Sequence, residues 1–257
     1  MFKKLIFASI VILLSADVFA QSFFSGRRNR KFVATIGTGT ATYFGDLAAD
    51  NDFKTRFNTA LGLRYHIIDR FSVGLDATWF YLASAEDTYD TRALTFQAHN
   101  FEFVGMVHID LWPTPERFYQ RKLINPYVFF GAGVAQYNPS AEAFDGNRYA
   151  LRPLETEGES YGLFTAVFPF GGGIKIRTSP FLNVAVDVGY RHTLTDRLDD
   201  VSGPDYVDPA SFDDDIAAYL ADPTGEGFAN ERVRGNPGNN DTYMFVNVKL
   251  EYYVPSN

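Results

Sequence analysis

The feature that constrains this chain most is a strict alternation of apolar and polar residues between positions 182 and 191. One face of this segment carries Leu182, Val184, Val186, Val188 and Tyr190. The opposite face is small or polar and includes two charged residues, Asp187 and Arg191. A period of two is typical of a β-strand whose faces meet different surroundings. The run is also about as long as a tilted strand that crosses a bilayer, roughly 9–11 residues.

A second strand precedes this one and indicates the same environment. Ile174 and Ile176 alternate with Lys175 and Arg177. Residues 178–180, Thr-Ser-Pro, predict a tight turn between the two strands. In a membrane barrel, apolar side chains face lipid and polar side chains face the interior. The hairpin therefore predicts two strands of such a barrel, with its charges inside.

The same alternation recurs along the chain and gives eight candidate strands. Besides the hairpin, they span residues 32–45, 56–68, 71–83, 95–111, 126–137 and 242–254. The connections at 69–70 and 178–180 are very short, whereas those at 46–55, 84–94, 138–164 and 197–241 are longer. This asymmetry is typical of outer-membrane barrels. The sequence predicts an all-β fold, an eight-stranded antiparallel transmembrane β-barrel with short periplasmic turns and long extracellular loops.

The N-terminus has the features of a secretory signal peptide. A basic start, Met-Phe-Lys-Lys, precedes an apolar run over residues 5–14, and the small residue Ala20 suits cleavage. A membrane-anchoring helix is the alternative, but the run is well below the roughly 20 residues that a spanning helix needs. We expect a signal peptide at residues 1–20, a basic lead-in at 21–31, a barrel at 32–257, and an outer-membrane location.

Composition excludes several classes of protein. The chain has no cysteine, which excludes disulfides, a lipoprotein anchor and thiolate metal sites. Its formal net charge is −8, whereas nucleic-acid binding needs basic patches. We therefore expect no nucleic-acid partner, and no motif in the sequence predicts a cofactor.

The charges on the predicted inward face nearly balance. The cations are Arg64, Lys175, Arg177, Arg191 and Lys249, and the anions are Asp76, Glu102, Asp187 and Glu251. Buried charges persist only when they are paired and hydrogen-bonded. We therefore predict a structural ion network inside the barrel. The interior of an eight-stranded barrel is just filled by side chains, which argues against an open pore.

The last long connection is rich in acids. They are Asp196, Asp199, Asp200, Asp205, Asp208, Asp213, Asp214, Asp215, Asp222 and Glu226. Grouped carboxylates of this kind are typical ligands of calcium, and a calcium ion bound here would also bridge to lipopolysaccharide phosphates. The spacing lacks the glycine-centred pattern of an EF-hand, and a solvated acidic loop is the simpler interpretation. Within this connection, residues 211–220 predict a short helix capped by Ser211.

Two groups of loop residues resemble catalytic arrangements. Asp199-Asp200 and Glu155-Thr156-Glu157 offer paired carboxylates, but catalytic geometry does not follow from separate loops. The favoured interpretation is that these acids lock the loops through Arg148, Arg152 or Arg197.

Histidines give no stronger indication of chemistry. His192 lies near Thr195 and Asp196, and a histidine beside an aspartate is the pair that a general base needs. Its position after the lipid-facing Tyr190 instead favours an interfacial ring. The other histidines, His66, His99 and His108, lie on three strands without the spacing of metal ligands. We predict no catalytic residue and no metal site.

The run Gly171-Gly172-Gly173 is not followed by a helix, so it does not predict a phosphate-binding loop. Strand curvature or close packing against a facing strand is the expected role.

The longest connection on the predicted periplasmic side, residues 112–122, suggests a partner contact. It mixes aromatic residues with arginine and lysine, which are favoured at interface anchors. Trp112, Phe118 and Arg121 are the candidate contact residues. An aromatic girdle with solvated basic residues is the alternative.

Several motifs, taken in order, resemble a known family. They are residues 43–47 (YFGDL), 126–131 (PYVFFG), 137–139 (YNP), 151–158 (LRPLETEG), 169–175 (PFGGGIK), 195–202 (TDRLDDVS), 234–236 (RGN) and 240–243 (NDTY). The chain resembles the PorG-like outer-membrane barrels of the Bacteroidota type IX secretion and gliding machinery. The resemblance implies an eight-stranded barrel without enzymatic activity that associates with the periplasmic ring proteins PorK and PorN. Arg197, where the family pattern has an aromatic residue, and an expanded loop at 202–230 depart from it.

These observations lead to one main hypothesis and its alternatives. The main hypothesis is a non-enzymatic outer-membrane component of type IX protein secretion that couples the membrane to a periplasmic ring. The alternatives are a small transport or adhesion barrel and a lipid-modifying enzyme. The expected partners are outer-membrane lipid, lipopolysaccharide, PorK and PorN.

Overall fold

The structure is a computed structural model and describes residues 30–47, 55–85, 92–115 and 120–255. The predicted signal peptide and most of the basic lead-in lie outside the described residues. Among the described residues, no helix is long and apolar enough to cross a membrane.

Eight long strands form the frame of the molecule. They are β1 (Phe32–Phe44), β2 (Thr55–His66), β3 (Phe71–Ala85), β4 (Thr95–Asp110), β5 (Ile124–Gln136), β8 (Phe164–Arg177), β9 (Leu182–Thr193) and β10 (Thr242–Tyr253). Each pairs antiparallel with the strand before and after it, and β1 pairs with β10, which closes the sheet into a barrel. The predicted fold class is confirmed, and the strands begin and end within a few residues of the predicted positions.

The connections differ strongly between the two ends of the barrel. Residues 67–70 and 178–181 are tight turns, and we call this end the turn end. At the opposite, loop end, the described connections include residues 137–163 and 194–241. These two segments, which we call the cap, cover the loop end of the barrel.

Part of the cap has regular structure that the sequence did not predict. A short hairpin, β6 (Ser140–Glu142) and β7 (Arg148–Ala150), continues the sheet beyond β4. The predicted helix exists as α1 (Asp215–Ala221), but its cap is Asp214, whose carboxylate accepts a hydrogen bond from the Ile216 amide. The prediction of Ser211 as the cap was therefore wrong. Ser211 instead ends a separate helical turn, because a proline two residues earlier starts that turn.

The two faces of the barrel are inverted relative to a water-soluble protein. Large apolar side chains cover the outside, including Ile36, Leu61, Leu63, Leu75, Phe103, Phe130, Phe170, Ile174 and Val248. Leu75 is 70% exposed. A continuous exposed apolar surface on this scale is not found on soluble monomers, and in a bilayer it faces hydrocarbon. The strands of 12 to 16 residues are long enough for a tilted crossing.

Inside the barrel, an aromatic layer separates the charged interior from the loop end. The ring of Phe80 lies 4.7 Å from that of Tyr243 and 5.0 Å from that of Phe245. In β8, a Cβ added to Gly171 would lie 2.2 Å from the Val188 carbonyl oxygen. The glycine therefore permits the close strand packing that the sequence predicted.

Candidate functional site

The interior nearest the turn end is held by two short ion pairs. Arg64 Nη1 lies 2.9 Å from Glu251 Oε1, and Lys175 Nζ lies 2.5 Å from Asp110 Oδ1. Asn183 donates a hydrogen bond of 3.0 Å to the other oxygen of Glu251. Period-two alternation puts each of these side chains on the inner face, and closure of the sheet brings β2 and β10 into reach of each other.

A second layer lies in the middle of the barrel. Lys249 Nζ is 2.9 Å from Asp187 Oδ2 and 4.0 Å from Asp76 Oδ2. The Tyr127 hydroxyl donates to Asp187 at 2.8 Å. One cation therefore serves two carboxylates from different strands, and a phenol supplies a further donor.

A third layer lies below the aromatic layer. Arg191 Nε is 3.7 Å from Glu102 Oε2, and the Tyr243 hydroxyl donates to the same oxygen at 2.6 Å. The Arg191 guanidinium also stacks 4.1 Å from the centre of the Phe245 ring. This contact packs the charged third layer directly against the aromatic layer.

The structure brings together eight of the nine residues proposed for the interior network, in the three layers just described. The ninth, Arg177, lies half-buried at the turn end, where it donates to the Arg121 carbonyl oxygen. Asp110, which the proposed network omitted, is the partner of Lys175. The alternation of β4 places Asp110 on the inner face, but the stagger between β4 and β8 decides that it meets Lys175.

At the turn end, the three candidate partner-contact residues separate. Trp112 is 41% exposed, and Lys122 Nζ lies 3.9 Å from the centre of its ring. Arg121 is buried over the Tyr253 ring and donates to Asn183 and to the Pro180 carbonyl oxygen. Phe118 lies outside the described residues. Arg121 therefore closes the barrel floor rather than presenting a surface, which corrects its predicted role as a contact residue.

The centre of the cap is a buried arginine. Arg234 is 2% exposed, and its guanidinium donates to the Ala221 and Asp200 carbonyl oxygens and to Glu157. Glu157 also accepts from the Ser202 amide at 2.7 Å and from the Gly203 amide at 3.0 Å. The two long connections are thus joined through one cation and one carboxylate.

Loop locking by ion pairs was predicted with the wrong arginines. Arg197 pairs with Glu159 at 2.8 Å, Arg148 with Glu142 at 3.8 Å, and Arg152 donates to the Tyr161 carbonyl oxygen. None of these contacts reaches the acids at 155, 157, 199 or 200. Arg234 was missed because it lies late in a long irregular connection, where no periodicity indicates which way a side chain points.

Beside Arg234, three tyrosine or threonine hydroxyls hold the acids of residues 199–200. Asp200 accepts from the Tyr161 hydroxyl at 2.5 Å and from the Thr156 hydroxyl. Burial raises the pKa of Asp200 to about 6, although Arg234 acts against the rise. The Tyr43 hydroxyl lies 2.6 Å from Asp199 and 2.7 Å from Asp241. Burial raises the pKa of both of these carboxyls as well.

The predicted acid–base candidates do not assemble. Asp196 makes no hydrogen bond to His192, since both of its carboxylate oxygens are without a hydrogen-bond partner, and His192 is exposed on the outer face. Burial, followed by repulsion from Asp46, raises the pKa of Asp196 to about 7. Over the described ranges, no group of three or more histidine or acidic side chains is arranged to hold a metal ion.

A cavity of about 350 Å³ lies between the cap and the barrel rim. Its walls mix apolar side chains, including Leu94, Ala143 and Leu220, with polar ones, and Asp199 and Arg234 contribute polar atoms. Both of these polar groups already have partners within the protein, so the cavity offers little directional chemistry.

Comparisons with known proteins identify no family for this chain. No family model matches the sequence, and no curated protein matches it. Among solved structures, surface protein A of Neisseria matches with a TM-score of 0.45 and 9% identity, over 87% of this chain and 97% of the other. Ail of Yersinia pestis gives 0.42 and 11%, over 87% and 99%. The outer membrane protein OprG of Pseudomonas aeruginosa gives 0.40 and 12%, over 89% and 99%.

Proposed function

We propose that this protein is a non-enzymatic, non-conducting outer-membrane barrel that acts through the surfaces at its two ends. The observation that carries this proposal is the filled interior. Three layers of paired charges and an aromatic layer cross the barrel from Asp110 and Lys175 to Phe80 and Tyr243. Because the side chains bond across the barrel, an ion would have to break several buried pairs in order to pass.

We further propose that the barrel is a component of type IX secretion that couples the outer membrane to the periplasmic ring proteins PorK and PorN. The resemblance of the loop and strand motifs supports this role. The exposed Trp112, with Lys122 stacked on it at the turn end, supports a contact on that side. Outer-membrane lipid and lipopolysaccharide are the proposed partners of the apolar face and the loop end.

The experiment combines deletion, co-purification and conductance. Deletion of the gene should leave type IX cargo in the periplasm. The protein taken from native membranes should carry the two ring proteins, and Trp112→Ala with Lys122→Ala should reduce their recovery at least about fivefold. Arg121 is left intact, because its removal would open the barrel floor. Arg148→Ala, an exposed change at the other end, is the matched control.

Planar-bilayer recordings of the purified barrel should show no stable conductance. Normal cargo export after deletion, or ring proteins recovered equally with both variants, would contradict the secretion role. Stable single-channel conductance would contradict the filled interior and favour a transport barrel.

A small adhesion barrel is the second candidate. It is favoured by the ordered cap, in which β6, β7 and α1 extend the loop end beyond the rim and leave Phe144 63% exposed. Binding of intact cells to a surface or host matrix, lost when residues 143–147 are replaced by a short glycine linker, would support this alternative.

A further inference from the structure

One hydroxyl group in the cap lies between two carboxyl groups. The Tyr43 oxygen, at the end of β1, is 2.6 Å from Asp199 Oδ2 and 2.7 Å from Asp241 Oδ1. A phenol carries one hydrogen and donates one hydrogen bond along it. If both carboxylates were ionised, the Tyr43 oxygen would have a hydrogen between it and only one of them. The other carboxylate oxygen would then lie against the Tyr43 oxygen with no hydrogen between the two. The geometry therefore requires a second proton on one of the two carboxyls.

The remaining hydrogen bonds indicate where that proton lies. Asp199 accepts from the Val201 amide at 3.0 Å and from the Leu47 amide at 3.3 Å. Asp241 accepts from the Leu198 amide at 2.8 Å, and among the described residues its other oxygen is hydrogen-bonded only to Tyr43. Asp199, which accepts more hydrogen bonds from backbone amides than Asp241 does, is the ionised partner. Asp241 therefore holds the proton and donates it to the Tyr43 oxygen, while Tyr43 donates to Asp199.

The described surroundings contain acids, and the arginines there, Arg92, Arg197 and Arg234, bond to other groups. Asp46, on the connection after β1, and Asp196, on the cap, both raise the proton affinity of Asp199 by repulsion. The nearby arginines are engaged elsewhere, since Arg234 pairs with Glu157 and Asp200 and Arg197 pairs with Glu159. No ion pair to Asp199 or Asp241 forms in the part of the chain that the structure describes.

The backbone of residue 45 packs closely against one side of this group. A Cβ added to Gly45 would lie 1.9 Å from both the Tyr43 oxygen and Asp241 Oδ1, so the bare backbone of Gly45 covers the pair. Asp199 is 1% exposed and Asp241 is fully buried. Asp199 also borders the cavity between the cap and the rim, but its oxygens and those of Asp241 already accept hydrogen bonds from the protein, which favours a structural role.

We propose that Tyr43, Asp199 and Asp241 form a proton-operated latch, which holds residues 194–241 over the loop end while the shared proton is present and releases them when it is lost. Loss of the proton leaves two buried carboxylates facing one hydroxyl without a cation. Repulsion and the cost of burying a second charge then favour an open cap. This regulation is independent of any role in secretion.

The direction of the pH effect follows from the raised pKa of the two carboxyls. Burial favours their protonated form in the closed cap, whereas an open cap exposes carboxyls of ordinary pKa. The stabilisation is therefore complete in acid, below the ordinary range near 4, and is lost as pH rises through the higher pKa of the closed cap.

The test is hydrogen exchange of the full mature chain in lipid vesicles at pH 5.5 and 8.5, corrected for the intrinsic pH dependence of exchange. The amides of Leu198 and Val201, which donate to the two carboxyls, should lose at least about tenfold in protection at pH 8.5. Amides of β9 and β10 within the membrane should not change.

The decisive variant is Asp241→Asn. Its amide oxygen accepts from Leu198 and its amide nitrogen donates to Tyr43, so it mimics the protonated acid permanently. Protection should then be the same at both pH values. Asp199→Asn is the second variant and should also remove the pH dependence, whereas Asp208→Asn, at an exposed helical turn, should behave as the wild type. A wild-type cap whose protection does not change with pH would overturn the latch, as would an equal tenfold loss in both latch variants.

Discussion

The barrel interior and the cap both bury many charged groups, but they stabilise them in different ways. In the interior, Arg64, Lys175 and Lys249 each meet a carboxylate within 3 Å. In the cap, Arg234 is the central cation, and Asp199 and Asp241 are held by a hydroxyl, backbone amides and a shared proton.

This difference determines how the stability of each region responds to pH. In the interior, short ion pairs between strands hold the carboxylates in place, so the network is fixed by the barrel itself. A carboxylate held without a cation depends on protonation, so the cap is adjustable. The barrel therefore acts as a rigid frame in the membrane, and the cap is the region whose stability the external medium can change.

The largest expected effect comes from breaking a pair in the interior. Arg64→Met leaves Glu251 buried without its cation and should lower the free energy of unfolding by about 3–5 kcal/mol. Urea unfolding in lipid vesicles, followed by tryptophan fluorescence, measures this. Arg64→Met combined with Glu251→Met should recover most of the loss. A double variant as unstable as the single one would show that the pair itself is not what the interior depends on.

An intermediate effect should follow from removing the cation of the cap. Arg234→Met removes the donor to two carbonyl oxygens and to the Glu157 carboxylate, and it also removes the ion pair with Asp200. Hydrogen bonds to charged groups contribute about 1.5–3 kcal/mol each. We expect the cap to be cleaved by protease at least about tenfold faster, with the urea midpoint of the barrel unchanged. Cleavage is located by mass spectrometry of fragments from residues 194–241. A matching fall in barrel stability would mean that cap and barrel unfold as one unit.

The smallest effect is expected at the exposed ion pair of the cap. Arg197 and Glu159 lie 2.8 Å apart, but the glutamate side chain is 71% exposed. Exposed pairs contribute about 0–1 kcal/mol. Arg197→Ala should therefore change the protease rate of the cap by less than about twofold. It should change the free energy of unfolding by less than about 0.5 kcal/mol. A larger effect would place Arg197 beside Arg234 in holding the cap.

The strands could be predicted because each carries its own pattern. The alternation of Val184, Val186 and Val188 with small and charged residues specifies both a strand and its lipid-facing side, whatever the rest of the chain does. Lys175 and Glu251 were placed inside for the same reason. Their partners were not equally predictable, since Asp110 meets Lys175 only through the stagger of β4, β5 and β8.

In the cap, by contrast, the sequence did not predict which side chains are buried. Its acids were visible as a dense run, which suggested a solvated loop, yet Asp199, Asp200 and Asp241 are almost fully buried. Irregular segments have no period that relates a residue to a face, so neither Arg234 as the central cation nor Asp214 as the helix cap followed from the sequence.

The sequence by itself determined that this chain closes into an eight-stranded barrel with an apolar outside and charged inside, because alternation and turn chemistry act over a few neighbouring residues. Only the tertiary structure decided which charges pair, how the long connections fold back over the rim, and that one tyrosine hydroxyl lies between two carboxyls from distant parts of the chain. These contacts join residues separated by more than 150 positions, and their geometry depends on barrel stagger and loop packing, which no local pattern encodes.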